Sequence, residues 1–406
     1  RGGRGPQGPP RQGRALRRQG PLAHGACGFR HARLRFRSRE EVAAPTRPFA
    51  PYTATHRLDW EALLRNLRRQ ETPKQVHFIE LFQDYEIEEA VDKRYGVTAG
   101  LDRNAPDHWF RRCVAMQRFL GYAYVPVGLL SLDTGENFRA RDTAVEARTG
   151  GRSWINEATG PITARADFER YAWPDGRTWD TRALEWYERH LPDDMCLVAR
   201  QGHFCEYLCW LMGYETLCVA LHEERELVQA IAAKVLELEE AATRVLLQSK
   251  RVKILWASDD LGFKTGLLFS PADMRAFVFP GHRRLAALAH AAGHPYLLHA
   301  CGKRESILED LLEDVKVDGL HSWEDTIEAV TDAKRAYGSR VALLGGIDLD
   351  FLCRAEEEQI RQRVRDTLAI CQPGGGYCLG TGNSVANYLP VDHYLAMLDE
   401  GRRFAG

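Results

Sequence analysis

The feature of this sequence that most constrains its fold is a regular alternation of short apolar segments with longer amphipathic ones. About eight of the short segments have the length and composition of strands, and a segment with helical periodicity follows each of them. Strands that alternate with helices pair in parallel, because each helix returns the chain to the start of the next strand. The predicted strands are residues 75–82, 122–127, 195–200, 254–260, 296–301, 319–322, 341–348 and 377–380.

Such a series of units fits a (β/α)8 TIM barrel, an α/β fold in which parallel strands close into a ring. The aromatic-rich stretch 129–190 lacks the alternation, so it is predicted to be an insertion after the second strand. A doubly wound parallel sheet is the competing architecture. The first predicted strand is not followed by the glycine-rich fingerprint of a dinucleotide-binding sheet, which favours the barrel.

The beginning of the chain differs from the rest in composition. Residues 1–50 contain twelve arginines, no lysine and two acidic residues. Residues 1–48 are rich in Arg, Gly and Pro without hydrophobic periodicity, so this segment is predicted to be disordered and to precede one barrel domain at 49–406. A basic arm for nucleic acid and an arginine-rich transit peptide both stay open for this segment. The first residue is not methionine, so a fragment or a misassigned start is a further option.

Composition also limits the classes of function. The formal net charge of the whole chain is -1, so the chain after the basic beginning is acidic and does not suit nucleic acid. The ten cysteines, several of them inside apolar segments, indicate reduced thiols in a cytoplasmic protein. No run of apolar residues is long enough to cross a membrane, so no membrane partner is expected.

Polar and titratable side chains collect at the carboxyl ends of the predicted strands, where the sites of (β/α)8 barrels lie. This regularity predicts an enzyme. Asp260 and His321 are the candidates for proton transfer. The candidates for substrate binding are Glu80, Arg200, His203, Asp348, Thr381 and Asn383. Structural alternatives stay open, because the acids at 259 and 260 can cap a helix and Asp348 can be a turn residue.

The strand 296–301 carries two side chains that can bind a metal. Residues two apart on a strand point the same way, so His299 and Cys301 share one face. An imidazole and a thiolate together suit a soft or borderline ion such as zinc. An isolated His-x-Cys pair more often only packs in a core, but the polar ends of the neighbouring strands favour a metal site here.

Several short motifs, taken in order, resemble the uroporphyrinogen decarboxylase superfamily. They are Asp-Asp-Leu-Gly at 259–262, Ser-Pro at 270–271, Phe-Pro at 279–280, Leu-His-Ala-Cys-Gly at 298–302, Gly-Gly-Ile-Asp at 345–348 and Leu-Gly-Thr-Gly-Asn at 379–383. Segments 160–163 and 210–213 also match. The resemblance covers about residues 75–402, is strongest from 254 onward, and implies a barrel enzyme with its site at the strand ends.

The resemblance implies two chemistries, and the first is methyl transfer. Members of one branch move methyl groups between corrinoid proteins and thiols, and they bind zinc through His-x-Cys and a later cysteine. His299 and Cys301 match the first two ligands, whereas Asn383 stands near the place of the third. The candidates to replace the third ligand are Asp260, Glu206 and Cys378. This is the favoured function, with a small-molecule or corrinoid substrate, a corrinoid protein as a further partner, and a homodimer as one option for assembly.

The second chemistry is removal of carboxylates from the acetate side chains of a tetrapyrrole, without a cofactor. In this alternative Asp260 stabilises the pyrrole nitrogens. An arginine-rich stretch near the N-terminus is typical of these decarboxylases, but residues 76–86 are acidic here, and Thr381 replaces their histidine. A substrate with many carboxylates needs arginine clamps, so both departures weigh against it. A non-catalytic corrinoid or tetrapyrrole binder is the third alternative.

Overall fold

The computed structural model describes residues 56–135, 137–144, 146–148 and 151–404. The segment 1–48, which the sequence predicts to be disordered, and the predicted domain boundary at residue 49 lie outside the described residues.

Helical segments separate successive strands of the main sheet along the described chain, as the sequence predicts. The strands are β1 (Tyr124–Val127), β2 (Asn137–Ala140), β3 (Arg152–Ile155), β4 (Cys196–Arg200), β5 (Val252–Ser258), β6 (Gly262–Phe263), β7 (Gly266–Leu267), β8 (Tyr296–His299), β9 (Gly319–His321), β10 (Ala342–Leu344) and β11 (Tyr377–Cys378). The helices are α1 (Trp60–Leu67), α2 (Tyr85–Tyr95), α3 (His108–Leu120), α4 (Arg165–Arg170), α5 (Arg182–His190), α6 (Cys205–Met212), α7 (Tyr214–Glu223), α8 (Arg225–Leu246), α9 (Pro271–Asp273), α10 (Phe279–Ala291), α11 (Val330–Tyr337), α12 (Leu349–Arg354), α13 (Glu357–Cys371) and α14 (Val391–Arg403).

Seven of the strands form one curled parallel sheet in the order β1-β4-β5-β8-β9-β10-β11. The other four form two small antiparallel hairpins, β2 with β3 and β6 with β7. The order of the large sheet follows the order of the chain, whereas a doubly wound sheet reverses its direction at one point. The predicted α/β fold with a parallel sheet is therefore confirmed, and the doubly wound alternative is wrong for the described strands.

The first predicted strand, 75–82, is reduced to a short contact at the far edge of this sheet. Phe78 forms an isolated parallel bridge with Leu379, just after β11. The Ile79 amide donates to the Leu379 carbonyl at 2.9 Å, and the Leu379 amide donates to the His77 carbonyl at 2.8 Å. This segment, 77–79, thus takes the eighth position next to β11.

A side chain, rather than a backbone ladder, joins this eighth position to β1 within the described residues. The Glu80 amide donates to the Tyr124 hydroxyl at 2.8 Å, and that hydroxyl donates to the Glu80 carbonyl at 2.9 Å. A tyrosine on β1 therefore satisfies main-chain groups that a neighbouring strand would otherwise satisfy.

The stretch predicted as an insertion lies between β1 and β4. It contains the β2–β3 hairpin and the short helices α4 and α5. Side chains of the hairpin are mostly exposed, and Phe138 faces Trp154 across it with ring centroids 6.0 Å apart. The insertion therefore has regular structure that its aromatic-rich sequence does not reveal.

The helical segment that follows Ser270 shows how proline shapes local structure. The Ser270 hydroxyl accepts a hydrogen bond from the Asp273 amide at 3.1 Å and caps α9. A π-helical turn, Met274–Val278, then separates α9 from α10. Pro280 is the second residue of α10, where its missing N–H costs no intrahelical bond. The chain thus passes through a π-helical turn just before Pro280.

No helix in the portion of the chain that the structure describes is long and apolar enough to span a membrane.

Candidate functional site

Three side chains that can bind a metal meet at the carboxyl ends of β5 and β8. In the register of these strands Ser258 lies opposite His299, which brings Asp260 beside the strand end that carries His299 and Cys301. The His299 Nε2 atom lies 3.3 Å from the Cys301 sulfur and 3.4 Å from the Asp260 Oδ1 atom. The three ligand atoms all lie within 4.8 Å of one another, so one ion can reach all of them.

Two further side chains contact the sulfur of this cluster. The Asn383 amide donates to the Cys301 sulfur with an Nδ2–Sγ distance of 3.2 Å. The Ser322 hydroxyl lies 3.9 Å from the same sulfur. Asn383 therefore occupies the place where the resemblance predicts a third cysteine, and Asp260 brings a third atom that could bind a metal close to His299 and Cys301.

A row of buried residues in successive contact leads from His299 through His321 and Thr381 to Glu80. The His299 Nδ1 atom is 2.7 Å from Nδ1 of His321, and the His321 Nε2 atom is 3.3 Å from the Thr381 carbonyl. The Thr381 amide and hydroxyl both donate to the Glu80 carboxylate, each at 2.7 Å. Glu80, Thr381 and His321 thus connect the eighth position of the sheet to the cluster through direct contacts.

Burial dominates the ionisation of this row. It raises the pKa of Glu80 to about 8, although the two hydrogen bonds from Thr381 oppose the shift. It lowers the pKa of His299, and it lowers the pKa of His321 well below the ordinary value, with the neighbouring His299 as the next cause. Both histidines are therefore neutral at neutral pH, which is the form that binds metals.

The two acidic groups of the cluster shift in opposite directions. Burial raises the pKa of the Cys301 thiol, and the nearby Asp260 carboxylate raises it further. Burial also opposes ionisation of Asp260, but hydrogen bonds from His299 and Cys301 outweigh it and hold the pKa of Asp260 below its ordinary value. Without a cation the cluster therefore holds a carboxylate and a thiol, and binding a divalent ion would release the thiol proton.

Asp259, the neighbour of Asp260, has a structural position. Its carboxylate accepts hydrogen bonds from the amides of Phe204, Cys205 and Glu206, at 2.8 to 3.0 Å, and so caps the start of α6. The same carboxylate faces the His282 Nε2 atom at 2.8 Å. Of the two alternatives that the sequence leaves open for these acids, Asp259 takes the cap and Asp260 joins the cluster.

The other predicted site residues lie outside the cluster. The Arg200 guanidinium donates to the Leu81 carbonyl and lies 5.2 Å from the Trp256 ring centroid, and burial lowers its pKa to about 10. The Asp348 carboxylate accepts from the amide of Phe351 at 3.0 Å and caps α12. It also accepts a hydrogen bond from the Asp325 amide at 3.0 Å. Both partners are main-chain amides, so Asp348 has a structural position outside the cluster.

The two remaining candidates for the third ligand are engaged elsewhere. Glu206 pairs with predicted site residue His203, whose Nδ1 atom lies 2.8 Å from the carboxylate. Burial, with the charges of Asp259 and Asp260 nearby, raises the pKa of Glu206 well above its ordinary value. The Cys378 sulfur lies 3.4 Å from the side-chain amide nitrogen of Asn66. Neither joins the ligand cluster of the described residues.

Two buried charged residues that the sequence did not indicate hold the loops at this edge of the sheet in place. Glu239 accepts hydrogen bonds from the Gln201 side chain at 2.8 Å and from the amides of Gly202 and His203 at 3.0 and 3.2 Å, which fixes the loop after β4. Its signal is a glutamate on the apolar face of α8, among buried positions such as Leu238. A charge on that face needs partners from elsewhere in the chain.

Arg304 is the second missed residue. Its guanidinium donates to the carbonyls of Ala300 and Ser322, the latter at 2.8 Å, and lies 4.6 Å from the Trp323 ring centroid. These contacts tie the chain after β8 to the chain after β9, next to Cys301. The sequence offers no local signal for Arg304, because all of these partners except Ala300 come from another strand end.

A curled parallel sheet with polar side chains gathered at its carboxyl edge defines an α/β protein of the barrel type. Residues 155–404 match the family model described as uroporphyrinogen decarboxylase (URO-D), and the chain belongs to that family. The superfamily predicted from the sequence is thereby confirmed.

One curated protein and one solved structure are similar to this chain. A curated protein named uroporphyrinogen decarboxylase, from Alkalilimnicola ehrlichii, is 25% identical over 253 residues, which cover 59% of this chain and 66% of that protein. The match therefore spans just under two thirds of that relative. A solved structure of a methyltransferase from Methanosarcina mazei is similar with a TM-score of 0.60 and 17% identity, over 85% of this chain and 98% of that one. At that identity the likeness shows the fold alone.

Proposed function

We propose that this chain is a metal-dependent methyltransferase that moves a methyl group from a corrinoid, or another small methyl donor, to a thiol. The observation that carries the proposal is the meeting of Asp260, His299 and Cys301 within 4.8 Å. Zinc prefers sulfur, nitrogen and oxygen donors, and its catalytic sites use three protein ligands and leave one position open. The donor set of this chain therefore fits zinc in type and in number.

When bound, zinc stabilises a thiolate at neutral pH and so supplies the nucleophile that a methyl acceptor needs. In the transfer itself a sulfur–carbon bond forms, and the bond between the methyl group and its donor breaks with its electron pair left on the donor. Asp260 and Cys301 would together balance the charge of a divalent ion. The Asn383 amide, which donates to the Cys301 sulfur, orients that ligand.

Proton transfer falls to Asp260 in this scheme. The sequence leaves Asp260 and His321 as equal candidates, but both ring nitrogens of His321 are engaged, by His299 and by the Thr381 carbonyl. The Asp260 side chain is half-exposed at the end of β5, where it can exchange a proton with solvent.

The second candidate function is decarboxylation of uroporphyrinogen, which the name of the curated relative favours. A substrate with many carboxylates needs free arginines. Near the cluster, the buried arginines Arg200 and Arg304 donate instead to main-chain carbonyls and stack on Trp256 and Trp323. These contacts leave methyl transfer as the better supported activity.

The experiment that tests the proposal supplies zinc-loaded protein with methylcobalamin and 2-mercaptoethanol in the absence of oxygen. Methylated thiol, detected by mass spectrometry, is the expected product, and Cys301→Ala should form it at least about 10-fold more slowly, because one ligand is lost. The matched control is Cys353→Ala, a cysteine on α12 away from the cluster, which should keep the wild-type rate.

A parallel reaction with uroporphyrinogen separates the alternatives. Formation of a less carboxylated porphyrinogen, without methylated thiol, would replace the proposal by the decarboxylase. Spectral evidence that methylcobalamin binds, with neither product formed, would indicate a non-catalytic corrinoid binder and would equally contradict methyl transfer.

We also infer that the eight positions of the sheet form a complete ring. The bridge between Phe78 and Leu379 supports this on one side, and the paired hydrogen bonds between Glu80 and the Tyr124 hydroxyl support it on the other. Closure would let side chains from β5, β8, β9 and the segment after β11 face one shared opening.

A further inference from the structure

A cavity opens beside the junction between segment 77–79 and β1. It has a volume of about 340 Å³ and is lined by the residues that follow this segment, by β1, and by residues of α2, α3 and α5. The Tyr124 side chain replaces a backbone ladder at this junction, and Pro126 of β1 has no N–H to offer a neighbouring strand. The junction therefore leaves a space of the size that small-molecule pockets have, about 300 to 1,000 Å³.

Five aromatic side chains line this cavity. They are Phe82, Trp109, Phe110, Tyr124 and Tyr187. Phe82 and Trp109 keep about half of their surface exposed, 48% and 52%, so they stand at the opening, whereas Tyr124 and Tyr187 are buried. Aromatic rings bind other flat rings through stacked and edge-on contacts. The walls thus favour a planar ligand that is mostly apolar.

Two glutamines supply polar groups to the same lining. The Gln117 amide nitrogen donates to the Gln83 side-chain oxygen at 3.2 Å. The oxygen of Gln117 and the nitrogen of Gln83 have no hydrogen-bond partner among the described residues, although Gln117 is only 6% exposed. A buried amide normally has its polar atoms paired, so these two atoms present an acceptor and a donor to a molecule in the cavity. Exchanging oxygen and nitrogen in both amides leaves the same complement.

The lining carries no uncompensated charge. No lysine, arginine or histidine is among the described residues that line the cavity. Of its two carboxyl groups, Glu88 pairs with Arg112, which lies over the rings of Tyr85 and Trp109. Burial raises the pKa of the other, Glu80, to about 8, so this carboxyl is mostly protonated at pH 7. An ion of either sign would lose its hydration here without gaining an unpaired partner of opposite charge.

We propose that this cavity binds an uncharged, planar aromatic molecule that carries a hydrogen-bond donor and an acceptor side by side, as a primary carboxamide does. The aromatic walls contact its ring, and Gln83 and Gln117 pair with its polar edge. Asp260, His299 and Cys301 are not among the described residues that line the cavity, so this site is additional to the proposed metal site. The inference therefore stands whether or not the chain binds zinc.

Three compounds of almost the same shape test the preference at pH 7. Benzamide is neutral and has a donor and an acceptor, benzoate is an anion, and benzamidine is a cation. Isothermal titration calorimetry with the purified chain should give about one benzamide per chain, with a Kd on the order of 1 mM. The two ions should bind at least about 10-fold more weakly. Equal or tighter binding of benzoate or benzamidine would overturn the inference, and so would the absence of benzamide binding.

Variants then locate the bound benzamide. Gln117→Leu keeps a similar side-chain volume but removes the amide, and it should weaken benzamide binding about 3- to 10-fold. Trp109→Ala removes one wall and should also weaken it. The matched control is Gln362→Leu, which replaces an exposed glutamine of α13 and should leave the Kd unchanged.

Unchanged benzamide affinity in either cavity variant would place the compound elsewhere and contradict the proposed site. Should Gln117→Leu fail to fold, Gln83→Leu removes the other member of the amide pair at a half-buried position, and the same loss of affinity is expected. Binding of benzamide to wild-type protein that holds no zinc would leave this inference intact while the proposed function fails.

Discussion

Two adjacent aspartates at the end of β5 show how burial separates residues of the same type. Asp259 is fully buried and accepts three amides at the start of α6, whereas Asp260 is half-exposed and lies beside His299 and Cys301. The first is therefore a structural residue, and the second is free to bind a ligand.

This difference predicts opposite effects of the same substitution. Asp259→Ala should lower the free energy of unfolding by about 3 kcal/mol, because it leaves buried amides and His282 without their acceptor. Asp260→Ala should change that free energy by less than about 1 kcal/mol but weaken zinc binding at least about 10-fold. Urea unfolding of zinc-free protein and chelator competition measure the two effects. A larger loss of stability in Asp260→Ala than in Asp259→Ala would contradict the assignment.

Glu80 should make stability depend on pH in the direction opposite to most carboxylates. Burial raises its pKa from 4.5 to about 8 in the folded protein, so between these values the folded state binds one proton more than the unfolded state. Its contribution to stability is therefore complete below pH 4.5 and is lost as pH rises towards 8, by up to about 1.4 kcal/mol per pH unit.

The measurement compares wild type with Glu80→Gln by urea unfolding at several pH values. The stability difference between them should shift steadily in favour of the variant from pH 5 to pH 8, roughly the interval between the two pKa values. The control is Glu305→Gln, which replaces a glutamate with an exposed side chain. A pH-independent difference for Glu80→Gln would show that this carboxyl ionises normally.

At the scale of elements, a buried ion network joins α13 to α14. Arg361 donates to Asp399 at 2.9 Å, to Glu400 at 3.2 Å and to Glu357 at 2.9 Å, and the Asp399 side chain is fully buried. Arg403 also lies 3.0 Å from Asp399. Packing of these two helices thus depends on matched buried charges.

Arg361→Met should lower the free energy of unfolding by about 3 kcal/mol, because it removes one of the cations that face a buried carboxylate. The matched control is Arg335→Ala, whose pairing with Asp332 is exposed and should contribute less than about 1 kcal/mol. Chemical unfolding of both variants measures the contrast. Equal, small losses would mean that Arg403 alone satisfies Asp399.

The sequence predicted the existence of most strands, but not where they end. The stretch 341–348 has the pattern of one strand, yet β10 covers only Ala342–Leu344. Gly345 and Gly346 follow with φ of 75° and 107°, in the left-handed region, and turn the chain so that Asp348 caps α12. Such an end depends on backbone angles that an apolar pattern does not encode.

The candidate site was predictable only partially, for a related reason. His299 and Cys301 share a face because of the two-residue period of a strand, which is local information. Their meeting with Asp260 depends on the register of β5 against β8, and the contact with Asn383 depends on the position of the chain after β11. The sequence could name Asp260 as one of three candidates, but only the fold could choose among them.

At the scale of the whole molecule, the parallel sheet brings together ligands that are distant in the chain. Asp260 precedes Cys301 by 41 residues, and Asn383 follows it by 82. Each of these side chains stands at the carboxyl end of a different strand, so the cluster forms only when the complete sheet has assembled. The proposed function therefore requires that Asp260, His299 and Cys301 bind one metal ion together.

The zinc content of the purified, zinc-equilibrated protein measures metal binding by these three side chains. Elemental analysis after removal of unbound metal should find about one zinc per chain in wild type and in Cys353→Ala, but much less than one in Cys301→Ala, because structural and catalytic zinc needs its full set of ligands. Wild-type protein without stoichiometric zinc, or with the same content as Cys301→Ala, would contradict the proposed function.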